Sequence, residues 1–254
     1  MLNKILFKLS KSVVKLLLPW FSYFFIKLKV NKRIANHLSD RSYIANNYYD
    51  FSLLVNKSLN NQKILALDIG AQGGFNSDEF FPKKYNKFFE PILVEPIKEE
   101  AEKLMTKNKY VISGGIWSKQ IKKDIFILGN RLGSSSMYKP DPTYFDVHGI
   151  NKKNYKNYEI TETVEIDCDS LDASLKKLTI DKLDYLKVDT QGAELEVLKG
   201  IGLYRPLLIK IEAHIFSMYK GVPNWSELVD HLYKLNYIAI DWKGIGSHST
   251  RVPA

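Results

Sequence analysis

Residues 63–74 read Lys63-Ile64-Leu65-Ala66-Leu67-Asp68-Ile69-Gly70-Ala71-Gln72-Gly73-Gly74. An apolar run of strand length hands over to an acidic residue and then to a glycine-bearing turn. A helix start is expected near Asn76 or Ser77, as in a strand–turn–helix unit. The same rhythm continues downstream. A strand over 92–95 ends on Glu95, a helix spans 97–107 with Ala101, Leu104 and Met105 on one side, and a strand covers 110–112. Strands are expected again over 124–128, 161–168, 183–189, 207–212 and 237–242, with helices over 193–199 and 225–235. Residues 119–158 break the alternation with a long polar loop around Gly133-Ser134-Ser135-Ser136, and such loops inside a domain tend to be functional. Strands alternating with helices imply an α/β fold with a mostly parallel sheet and helices on both faces.

Composition narrows the field. A chain of 254 residues, 45% hydrophobic and 13% aromatic, holds a full core and excludes wholesale disorder. Its single cysteine, Cys168, excludes an intrachain disulfide framework and a multi-cysteine zinc site. The net charge of +9 is unevenly spread. Residues 1–39 carry eight basic residues and no acidic one, which leaves 29 basic against 28 acidic for the rest. The body is nearly neutral, so the basic balance does not argue for nucleic acid as a partner.

Residues 1–39 form a basic amphipathic arm. Leu2, Ile5, Leu6, Leu9, Val13, Leu16 and Leu17 recur at helical steps, and Lys4, Lys8, Lys11 and Lys15 fall on the opposite side. This pattern suits peripheral contact with an anionic membrane; a helix packed on protein is the alternative. The apolar run between Lys15 and Lys27 is about eleven residues, against roughly 20 needed to span a bilayer. No small-residue cleavage site follows it. Residues 40–61 read as a helical lead-in and 62–254 as the main domain. The expected location is cytoplasmic, at the inner membrane face if the arm binds there.

In open α/β sheets, ligands sit beyond the carboxyl ends of the strands. Asp68 and Glu95 stand at two such ends, 27 residues apart. A strand-end Glu can accept both hydroxyls of a ribose. The dinucleotide fingerprint needs glycine at 72 and 75, where Gln72 and Phe75 stand, so the pattern suits a nucleoside without a pyrophosphate.

Residues 67–74, Leu93-Val94-Glu95-Pro96, Gly133 to Ser136 and, above all, Leu186-Lys187-Val188-Asp189-Thr190-Gln191-Gly192-Ala193-Glu194 with Leu198-Lys199-Gly200 resemble the FkbM family of S-adenosylmethionine-dependent methyltransferases. The resemblance runs from about residue 62 to 242. It implies a class I methyltransferase (Rossmann-like) fold with S-adenosyl-L-methionine bound over the first two strand ends. Asp68, Gly70 and Gly73 would hold the methionine part, Glu95 the ribose, and the 113–117 stretch with Trp117 would lie near adenine. Asp189 would border both methyl donor and acceptor. The reaction implied is O-methylation of a hydroxyl on a sugar, glycan or glycolipid. Two departures stand out. Thr190 replaces a usually apolar residue, and only residues 243–254 follow the expected strand, so the last antiparallel strand of such sheets is expected to be missing.

Methyl transfer to a hydroxyl requires positioning of the acceptor and benefits from a base. The candidates are Asp189, Glu212 and His214. Glu212 and His214 lie two apart at a strand end and would share a face if the chain stays extended. His214 or Asp189 is read as base and Glu212 as orienter. The three could also ligate a divalent ion, although no metal is assigned. A soluble natural-product O-methyltransferase and a non-catalytic binding module that kept the fold remain the alternatives. His148 is read as a surface residue, and Glu194 as bonding back to the loop before it.

Overall fold

The computed structural model describes residues 52–77, 80–146, 148–215 and 217–240. The chain divides into two units, 1–61 and 62–254. In the first, the described part is a single helix, α1 (Ser52–Leu59). The basic arm and the segment from residue 241 onward lie outside the described residues.

The second unit is built on a five-stranded parallel sheet. Its strands are β1 (Ile64–Ile69), β2 (Phe89–Glu95), β3 (Tyr110–Ser113), β7 (Tyr185–Val188) and β8 (Leu208–Ile211), in the order β3-β2-β1-β7-β8. Every neighbouring pair is parallel. This is the α/β Rossmann-like arrangement expected from the alternation of runs. A second, three-stranded sheet was not foreseen. It orders β4 (Gly115–Trp117), β6 (Glu162–Ser170) and β5 (Ile121–Ile127), with β4 parallel and β5 antiparallel to β6. Three residues of β4 are too few to show a period in sequence.

Strand alternation assigns the two faces of the main sheet. One face presents Leu67, Ile69, Ile92, Val94, Leu186 and Val188 to α3 (Leu171–Lys177), α4 (Glu194–Lys199) and α5 (Trp225–Lys234), forming the main core. The other presents Leu93 to α2 (Lys98–Met105), where Leu104 and Ala71 pack with it. Both faces are thus helix-covered. Met105, expected inward, is 48% exposed, because α2 ends at that residue and turns its Ala101–Leu104 stripe to the sheet.

The expected helix at Asn76 or Ser77 does not form. Asn76 adopts φ +54 and folds its side chain onto the carbonyl of Phe81 and onto Asn86 Oδ1. Pro82 then caps a 3-10 helix, Lys83–Phe88, that leads into β2. An aromatic group fills the space: the Phe81 and Phe89 rings stack at 4.9 Å and Phe75 lies 5.2 Å from Phe89.

Other boundaries shift for local reasons. α3 was missed in sequence, although Ser170 caps it by accepting from the Ala173 amide. Gly200 closes α4 with φ −85. Its need for glycine is steric, since a β-carbon there would lie 2.4 Å from the Trp117 carbonyl oxygen. The strand expected over 237–242 is absent from its described part, residues 237–240.

Candidate active site

The register that builds the sheet also gathers its acidic residues. Asp68 pairs with Leu93 and Lys187, and Lys187 with Lys210, so these side chains share one face. Two residues further along each strand stand Glu95, Asp189 and Glu212, on the same face at the carboxyl end. Main-chain bonds carry the ladder past the strand ends, from the Asp189 amide to the Ile69 carbonyl and from the Glu212 amide to the Val188 carbonyl. Asp68, Glu95, Asp189 and Glu212 therefore converge on one edge of one sheet face.

Lys187 places an ammonium at its centre. It is buried, with Nζ 3.1 Å from Asp68 Oδ1 and 3.8 Å from Asp189 Oδ2. Asp68 is 1% exposed, so its charge is engaged with Lys187 beneath the surface. The Asp189 side chain is 25% exposed. Glu95 is buried as well and accepts from the Ile97 amide through Oε1 at 3.0 Å. Burial raises its pKa, opposed by the Ile97 bond, with the Glu100 charge adding to the rise.

Gly70 fastens the first turn to this edge. Its φ is +83, and a β-carbon would lie 1.9 Å from the Asp189 carbonyl oxygen. Gly73 and Gly74 also have positive φ; among the described residues a β-carbon would lie 3.3 Å from Ser77 Cβ at Gly73 and 3.9 Å from Leu104 Cδ2 at Gly74. These two glycines present backbone with no side chain of their own on that turn.

Asp189 and Glu212 face each other across the ends of β7 and β8. Gln191 Nε2 donates to Asp189 Oδ1 at 3.0 Å and to Glu212 Oε1 at 3.5 Å. Burial first, then the Asp189 charge, push the Glu212 carboxyl up to about 7. Gln191 is in turn held from outside. Ser136 Oγ donates to its carbonyl at 2.7 Å, and the Tyr219 hydroxyl lies 3.2 Å from its Oε1 and 2.7 Å from the Ser134 carbonyl. The serine run therefore borders the carboxyl pair. Gln191 and Tyr219 were not singled out in sequence. The one signal was Gln191's place inside the 186–194 block.

Glu194 is structural, as expected. It accepts from the Thr190 and Gly192 amides and from Thr190 Oγ. This accounts for threonine at 190, whose hydroxyl completes the clamp.

Two further candidates fall elsewhere. β8 ends at Ile211, and the His214 ring lies 6.3 Å from those of His148 and Tyr219. His148 is half-buried rather than a surface residue. Among the described residues, no group of three His, Cys, Asp or Glu side chains is placed to hold a metal ion. Trp117 is 8% exposed, set in the core between the second sheet and Ala193, with Lys123 over its ring. A cavity of about 510 Å³ opens at the β3 edge, lined by Ser113, Gly114, Cys168, Asp169 and Lys177 among others, and shares no residue with the carboxylate edge.

Among the described residues, no helix is long and apolar enough to cross a membrane. Comparison with curated proteins and with solved structures gives no significant match. A family model, the methyltransferase FkbM domain, matches residues 68–239, a stretch that opens on Asp68 and takes in Glu95, Asp189, Gln191 and Glu212. With its parallel sheet and this strand-end site, the chain belongs to the FkbM methyltransferase family.

Proposed function

We propose that the chain is an S-adenosylmethionine-dependent O-methyltransferase that methylates a hydroxyl of a sugar, glycan or glycolipid. The observation that supports it is the Asp189–Glu212 pair. A carboxyl held at about 7 beside a second carboxylate is matched to taking a proton from an acceptor hydroxyl near neutral pH. His214 is the weaker base candidate, because its ring neighbours Tyr219 and His148 instead.

The donor set fits the methyl donor. S-adenosylmethionine supplies an electrophilic methyl on a sulfonium and carries an ammonium and a vicinal diol. The edge offers four carboxylates beside the ammonium of Lys187. Glu95 suits the diol, and the bare backbone at Gly73 and Gly74 permits close approach. Asp68 acts through the field it shares with Lys187. The residues' work is to orient the acceptor oxygen, hold its proton and exclude water.

The decisive experiment incubates the full chain with a labelled methyl donor and sugar-nucleotide or lipid-linked acceptors. Label in the acceptor is expected. Absence of donor binding by calorimetry would remove the reading. Within the same reading, residues 1–39 hold the enzyme at an anionic membrane face, as their eight basic and no acidic residues favour. Replacing Lys4, Lys8, Lys11 and Lys15 with Glu should release the chain from anionic vesicles; unchanged binding would refute the role of the arm.

A further inference from the structure

Gln191 occupies a conformation that costs free energy. Its φ is +57, in the left-handed region that glycine or asparagine adopts more cheaply. Four contacts converge on it there. The amide group has two N–H donors, and the two carboxylates of Asp189 and Glu212 lie within reach of Nε2. With those donors committed, Oε1 turns to the Tyr219 hydroxyl. The main-chain carbonyl accepts from Ser136, whose oxygen also accepts from the Tyr138 amide.

We propose that Gln191 is a positioning residue that couples the seating of the 134–138 loop to the geometry of the Asp189–Glu212 pair. The inference rests on reading that pair as the base. It explains why a long amide side chain stands at a strained corner. Once both groups are ionised, a hydrocarbon of the same length would leave the two carboxylates facing each other with no donor from position 191. A charged side chain would add to the repulsion or neutralise the pair.

The coupling has two arms. The first is the Ser136 bond to the Gln191 carbonyl. The second runs through Tyr219, whose single proton is shared between the Ser134 carbonyl at 2.7 Å and Gln191 Oε1 at 3.2 Å. The loop therefore grips both the main chain and the side chain of Gln191. Withdrawal of the loop would free the amide to rotate away from the pair.

Other charged and titratable groups stand on the neighbouring elements. Lys187 and, through it, Asp68 lie beneath Asp189; Glu194 begins α4; His214 and Tyr219 follow β8. The amide of Gln191 bonds both carboxyls, and its bond lowers the Glu212 pKa against burial and repulsion.

The test uses the full chain labelled with ¹³C at glutamate carboxyls, with the Glu212 signal assigned by Glu212→Gln. The Glu212 midpoint is read by NMR in the wild type, in Gln191→Met and in Ser136→Ala. It should move upward in Gln191→Met by about half to one pH unit, since a donor to the charged form is lost. It should move the same way, by less, in Ser136→Ala. An unchanged midpoint in folded Gln191→Met overturns the proposal. If that variant does not fold, Ser136→Ala decides, and an unchanged midpoint there overturns the coupling. Calorimetry of the wild type with the methyl donor is read separately. A midpoint shift without donor binding would refute the functional reading and leave the positioning role standing.

Discussion

Gly70 and Asp189 approach so closely that a β-carbon on the glycine would lie 1.9 Å from the aspartate's carbonyl oxygen. The turn after β1 and the end of β7 are therefore one structural unit. Gly70→Ala meets both the backbone overlap and a φ of +83, and should cost about 2–4 kcal/mol. Urea denaturation measures it. A loss below experimental error would mean that the two segments separate without penalty.

Lys187→Met removes the partner of a carboxylate that is 1% exposed. Breaking a buried pair on one side should cost about 3–5 kcal/mol. Adding Asp68→Asn should restore part of the loss. If the double variant is as unstable as the two single losses added together, the pair is not coupled.

Glu212 gives stability a pH dependence of known sign. Its carboxyl stands at about 7 in the fold against an ordinary value of 4.5. Between those values the folded state keeps a proton that the unfolded chain releases. Its contribution is full below 4.5, is lost as pH rises through about 7, and is level above. Glu212→Gln should thus unfold at higher urea than wild type above pH 7, and differ little below 4.5. Under the proposed mechanism, turnover rises through about pH 7, and the variant loses that limb.

Glu95→Ala should weaken binding of the methyl donor by about 1–3 kcal/mol, as expected for loss of a buried hydrogen-bonding partner. Calorimetry reads the affinity directly. Equal affinity in the variant would place the donor's hydroxyls elsewhere.

The acidic edge was legible because Asp68, Glu95 and Asp189 each close a short apolar run, and a parallel sheet brings such ends together. Glu212 followed by the same logic. His214 lies three residues past the end of β8 at Ile211, with its ring beside His148 and Tyr219. Gln191 and Tyr219 meet only after the 217–222 and 132–138 segments fold onto each other, and no local pattern announces that contact. The second sheet was hidden because β4 is three residues long and follows β3 after the single residue Gly114. The corner at Asn76 was misread as a helix because the bonds that replace the helix come from one asparagine side chain.

That corner has a dynamic consequence. A helix after β1 would lock the crossover with a ladder of amide bonds, released only by cooperative melting. Here, among the described residues, three bonds of the Asn76 side chain, a 3-10 turn and a few stacked rings stand in place of such a ladder. The amides of this crossover should therefore exchange with solvent before those of β1 and β2.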